Sequence, residues 1–130
     1  MTFHSNMGKI NMDNKEEVTS FAVVVEHLKD IHKAKSASYG DSWRKRGELV
    51  SVFGNVARKF DRLENYASDL DKWQKALKGE ESETLADTVM DLAVYAILWC
   101  VHIEQTRNQQ FKDAYYKATG VRDGNEVRSK

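Results

Sequence analysis

Residues 83–103 read ETLADTVMDLAVYAILWCVHI, and from Val89 onward the run is apolar on nearly every side. A helix that is apolar all round is buried rather than amphipathic, so this stretch predicts the central helix of an all-α fold. Asp87 and Asp91 interrupt it, and Glu83 stands one turn before them. At a spacing of four the three carboxylates share one stripe, where like charges repel. A carboxylate near a core has to be paired, protonated or bound to a metal. Ser82 is placed to cap the helix.

The rest of the chain supplies partners. There is no proline in 130 residues, which favours helices throughout. Asn14 and Glu17 resemble a capping box, and Phe21, Val24, Val25, Leu28 and Ile31 predict a helix over 15–36. Residues 35–42, KSASYGDS, break that pattern and read as a loop. From Arg46 to Glu64 a second helix is predicted, with Leu49, Val52, Phe53, Val56, Phe60 and Leu63 on its apolar face. At about 100° per residue, Glu48, Asn55, Lys59 and Arg62 form a polar stripe beside that face. Ser68 and Asp71 resemble a capping box for a short helix over 69–78, which Gly79 ends. Beyond Ile103 the pattern turns polar, then Phe111, Ala114, Tyr115 and Ala118 resume it. The central helix either runs on or breaks near Arg107, and Gly120 is a stop signal. The expected architecture is a bundle of four to five helices over 14–120, with a flexible arm over 1–13 and a flexible tail over 121–130.

Twenty basic and twenty acidic residues give a formal net charge of zero, so nucleic acid is not an expected partner. Cys100 is the single cysteine, which excludes an intrachain disulfide and reads as a buried thiol in a reducing cytoplasm. The N-terminus lacks an apolar signal core. The apolar run Leu92 to Val101 is shorter than the roughly 20 residues a bilayer requires, so no membrane association is expected.

Three constellations carry chemistry. Glu83, Asp87 and Asp91, with Glu48 from the facing helix, offer hard oxygen ligands for Mg²⁺ or Mn²⁺. The alternative is that Asp87 and Asp91 form salt bridges to Lys59 and Arg62, which would hold two helices in register. Glu83, at the helix start, reads more readily as a solvated carboxylate favoured by the helix dipole. Lys59 and Arg62 are suited to phosphate oxygens, whereas Arg58 reads as a solvated surface residue beside Asp61 and Glu64. Tyr39, Ser42 and Trp43, next to basic residues, could stack a base and hold a phosphate, or could simply cap the core. His27, His32 and His102 lack metal-ligand spacing and read as packed or surface residues. There is no arrangement for a covalent nucleophile and no Gly-rich phosphate loop.

Tyr39-Gly40-Asp41-Ser42-Trp43, then Asn55-Val-Ala-Arg-Lys59-Phe-Asp-Arg62-Leu, then Glu83-Thr-Leu-Ala-Asp87-Thr-Val-Met-Asp91-Leu-Ala-Val-Tyr95 together resemble the nucleotide-modification-associated domain of phage and bacterial genomes. That domain is similar to all-α NTP pyrophosphatases of the MazG and dimeric dUTPase type. The resemblance covers about 35–105. Those enzymes carry a Glu-Glu-x-x-Glu cluster on one helix and a Glu-x-x-Asp pair on the next. Here the first helix keeps one carboxylate, Glu48, and the second pair is Asp87 and Asp91, spaced four apart. The resemblance implies a Mg²⁺-dependent pyrophosphohydrolase acting on (deoxy)nucleoside triphosphates, assembled as a dimer or tetramer. Glu48, Asp87 and Asp91 would be catalytic, and these with Glu83 would hold the metal. Tyr39, Ser42, Trp43, Lys59, Arg62 and Tyr95 would bind the nucleotide. A non-catalytic nucleotide-sequestering protein and a structural module of a nucleotide-modification system are the alternatives.

Overall fold

Helix α1, Asn14–Tyr39, runs straight through most of the segment read as a loop and ends at Gly40. Without proline, small polar residues such as Ser36 and Ser38 do not stop a helix that is already propagating. The structure, a computed structural model, describes residues 14–122 and 126–127, and side chains from Ser20 to Val121. The arm over 1–13 and the tail residues 123–125 and 128–130 lie outside the described residues. The chain divides into two compact units, Met1–Ser38 and Tyr39–Lys130. The fold is all-α, and the candidate site belongs to the second unit.

The second unit opens with a 3₁₀ turn, Ser42–Arg44, and a π-helical segment, Glu48–Phe53, that leads into α2, Gly54–Tyr66. Gly47 enters the π segment at φ 93°, a left-handed conformation that disfavours any side chain. The expected continuous α-helix from Arg46 is therefore replaced by a wider first turn. Leu49 and Val52 both lie in this segment, whose wider turn sets residues three apart further from one another around the axis than an α-helix does. Hence Val52 is core while Leu49, expected on the same face, is 74% exposed. Phe53 and Phe60 are exposed as well.

Helix α3, Leu70–Lys78, is capped by Asp69, whose side chain accepts from the Lys72 N–H at 2.8 Å. Ser68, expected as the cap, instead donates to the Asn65 carbonyl. Gly79 ends α3 at φ 69°. Helix α4, Leu85–Thr106, is capped by Thr84 rather than Ser82. Thr84 Oγ1 accepts from the Asp87 N–H at 3.1 Å, and Asp87 Oδ2 accepts from the Thr84 N–H at 2.9 Å. The chain breaks at Arg107, φ −140°, and α5, Asn108–Thr119, follows up to Gly120. Two two-residue strands, β1 Val121–Arg122 and β2 Glu126–Val127, pair antiparallel.

In this unit α2 packs on α4, α3 packs on α2, and α5 packs on α4. Val52, Tyr66, Ala76, Val94 and Leu98 are the buried apolar residues, and Thr88 is buried with them. Each aliphatic side chain removed from water here stabilises by about 1.5–3 kcal/mol at most. With 22 residues, α4 is long and apolar enough to cross a bilayer by length and composition. It exceeds the short run from Leu92 to Val101, and against the expectation of an all-round buried helix only Thr88, Val94 and Leu98 on it are buried, while Val89 and Ile97 are exposed. Cys100 is exposed on α4, not buried as its surroundings in sequence suggested.

Candidate functional site

The polar stripe of α2 does face α4, but its members take separate partners. Lys59 Nζ lies 3.1 Å from Glu83 Oε2 and 3.1 Å from Asp91 Oδ2. Its side chain is 12% exposed, so water competes weakly for the ammonium. Arg62 Nη2 reaches Glu83 Oε1 at 3.5 Å. The seam thus joins two cations to two carboxylates. Thr88 Oγ1 is within hydrogen-bonding reach of Glu83 Oε2, at 3.2 Å, and of the Thr84 carbonyl, at 3.1 Å. The Tyr66 hydroxyl donates to the Glu83 carbonyl at 2.8 Å, which fixes the turn before α4. The hydrogen bond from Lys59 holds the Glu83 carboxyl below the ordinary carboxylate range, against the opposing effect of burial. Glu83 is therefore not the solvated carboxylate of the sequence reading.

Glu48 lies in a different cluster. Arg107 grips it with two parallel bonds, Nη1 to Oε1 at 2.9 Å and Nη2 to Oε2 at 2.8 Å. Trp99 Nε1 donates to Oε2 at 2.7 Å, and His102 Nε2 stands 3.7 Å from Oε1. The Arg107 hydrogen bonds, with that of Trp99, lower the Glu48 pKa to about 2. The same pairing raises the pKa of Arg107. A bidentate guanidinium and an indole N–H leave this carboxylate saturated.

The four carboxylates expected around one metal are thus not gathered. Glu48 is held by Arg107, Asp87 closes the cap of its own helix, and Glu83 and Asp91 share Lys59. Among the described residues no three His, Cys, Asp or Glu side chains are placed to hold a metal ion together. The quartet does not fit a resident Mg²⁺, although the pair Glu83 and Asp91 does converge on a single cation.

The expected nucleotide-binding residues outside the seam differ in exposure. Trp43 is half-buried, with Arg44 over its ring at 4.6 Å and His102 edge-on at 6.4 Å. Its carbonyl accepts from Asn55 Nδ2 at 3.2 Å, which ties the 3₁₀ turn to α2. Tyr39 is 69% exposed at the end of α1, Ser42 is exposed, and Tyr95 is half-buried on α4. Arg58 donates to Asn55 Oδ1 at 2.6 Å.

Two open clefts flank the seam. One, of about 330 Å³, is lined by Arg58, Lys59, Asp61, Arg62 and Asn65. The other, of about 400 Å³, lies between α2, α3 and the turn before α4, and shares Arg62 and Asn65 with the first. A third hollow, of about 360 Å³, is lined by Glu48, Leu49, Phe53 and Trp99 and is mainly apolar.

Sequence reasoning missed the pairing of Arg107 and Trp99 with Glu48. Arg107 carried one signal, the break in apolar periodicity. Nothing local pairs Trp99 with a carboxylate 51 positions away.

No family model matches the chain, and no solved structure matches it. The chain is similar to the "Gene 30 protein" of Bacillus phage SP01, at 31% identity. The likeness covers 62% of this chain and 43% of that protein, so the chain spans less than half the length of the curated relative it matches.

Proposed function

We propose that this chain binds a nucleotide through its phosphates, over the basic edge of α2. The observation that carries this reading is the placement of Lys59 and Arg62: each meets a carboxylate and each lines an open cleft. Arg62, about half exposed and 3.5 Å from its carboxylate, can turn towards phosphate oxygens and hold them by charge-assisted bonds, with Lys59 behind it as a fixed positive charge. The likeness to a phage protein agrees with the phage side of the sequence resemblance and names no ligand.

Binding without cleavage is the better supported form. Lys59 stands between Glu83 and Asp91, and Glu48 and Asp87 are committed elsewhere. Mg²⁺-dependent pyrophosphohydrolysis is the second reading, and it requires a metal to take the place of the Lys59 ammonium between Glu83 and Asp91. Incubation with a panel of NTPs, dNTPs and cyclic nucleotides, with and without Mg²⁺, separates the two by chromatography. Intact nucleotide supports sequestration, whereas monophosphate and pyrophosphate appearing only with Mg²⁺ establish hydrolysis. Self-association into a dimer or tetramer belongs to the same reading. Exposed Leu49, Phe53, Phe60, Val89 and Ile97 support it, and light scattering on the eluting protein tests it.

A further inference from the structure

Helix α3 enters neither the seam nor the sequence motifs, yet it brings two lysines to the larger cleft. Lys72 and Lys75 line that cleft with Arg62, Asn65, Tyr66 and Ser82. We propose that this cleft seats the phosphate chain of a nucleoside di- or triphosphate, with Arg62, Lys72 and Lys75 as the anchoring cations. The proposal rests on the nucleotide reading above and names the part of the ligand that the cleft takes.

Each of these cations holds a partner that a phosphate could replace. Lys72 Nζ donates to a neutral amide oxygen, Asn65 Oδ1, at 3.3 Å. Lys75 meets Asp71 at 3.6 Å, with side chains 66% and 80% exposed, a pair of little worth in water. Arg62 reaches Glu83 at 3.5 Å and is 46% exposed. A phosphate oxygen offers each of them a shorter, charge-assisted bond. These contacts differ from the grip of Arg107 on Glu48, which no phosphate would displace cheaply. A volume of about 400 Å³ is within the range of small-ligand sites. Through Arg62 and Asn65 the cleft continues into the second one, which leaves space for the rest of the nucleotide.

Two carboxylates also line the cleft. The charge of Glu83 is met by Lys59 and Arg62. Glu81 opposes a bare phosphate, so its removal should strengthen binding. A nucleic-acid backbone shares the chemistry, but a chain of zero net charge has no overall basic excess for such a polymer.

Calorimetric titration of the full chain with tripolyphosphate, a dNTP, the matching dNMP and the free nucleoside tests the proposal. Affinity is expected to rise with phosphate number. The double variant Lys72→Ala/Lys75→Ala should bind triphosphates at least ~10-fold more weakly while still melting cooperatively. Glu81→Gln should bind metal-free triphosphate about twofold to threefold more tightly. Equal triphosphate affinity in the double variant and the parent overturns this site and leaves the nucleotide reading standing. Tripolyphosphate binding that the double variant loses, with no nucleotide bound by the parent, supports an oxyanion site and removes the nucleotide reading. Tighter binding of a single-stranded oligonucleotide than of the dNTP overturns the proposal, and silence with every probe removes both.

Discussion

At one end of the pairing between the α2 segment and α4, Glu48 is locked by Arg107 and Trp99 at 2.7–2.9 Å. At the other end Glu83 and Asp91 share Lys59 at 3.1 Å, and Arg62 stands off at 3.5 Å. Both regions join carboxylates to cations, but they differ in what they leave over. The Glu48 clamp consumes its donors and borders a mainly apolar hollow. The Lys59 seam opens on two clefts lined by cations with weaker partners. A saturated cluster holds structure, and an under-committed one beside a cleft can take a ligand. The same pair of elements therefore separates a fastening end from a binding end.

The sharpest way to break the comparison is Lys59→Met. It removes the cation that two half-buried carboxylates share, and stability should fall by about 2 kcal/mol in urea denaturation, less than for a fully buried pair. An unchanged midpoint would mean that the seam is solvated and that the contrast with Glu48 is lost. Next, Thr84→Ala removes the cap and should cost about 1 kcal/mol, since the Asp87 N–H loses its acceptor. Arg107→Ala should lower the melting temperature, and Glu48 should then titrate nearer its ordinary value of 4.5. The smallest stability change is expected for Lys75→Ala, under about 0.5 kcal/mol, because its pair with Asp71 is exposed.

Acid should act on both ends. The folded pKa of Glu48 is lowered to about 2 from 4.5, so the folded state holds this proton less tightly than the unfolded state does. Its contribution is complete above about pH 4.5 and is lost as the pH falls towards about 2. Glu83 is shifted in the same direction, chiefly by Lys59. Urea midpoints should therefore fall through this window, and Glu48→Gln should flatten the slope. A slope equal to that of the parent would remove Glu48 from the account.

Much of the fold was legible in the sequence. Stop signals at Gly79 and Gly120, the break near Arg107 and the apolar run after Val89 are local, and they mark the ends of α3 and α5 and the extent of α4. The cap of α4 was displaced by two residues, because Ser82, Thr84 and Asp87 all have capping chemistry and only the backbone path selects among them. The π turn was not legible, since an inserted residue changes no composition yet rotates Leu49 out of the core. In the site, the seam was half legible. A polar stripe on α2 and an acidic stripe on α4 foretold their meeting, but not that Lys59 would take both Glu83 and Asp91 while Asp87 turned to Thr84. Long-range pairs such as Glu48 with Arg107, 59 positions apart, depend on tertiary geometry that no spacing rule encodes.

The most direct test of the binding end is a thermal-shift series on the parent chain with nucleosides and their mono-, di- and triphosphates in the absence of divalent metal. A ligand that binds only the folded state raises the melting temperature by mass action. The expected result is a rise that grows with phosphate number and is absent for the nucleoside. No rise with any nucleotide would contradict the account, making Lys59, Glu83 and Asp91 a second structural fastening.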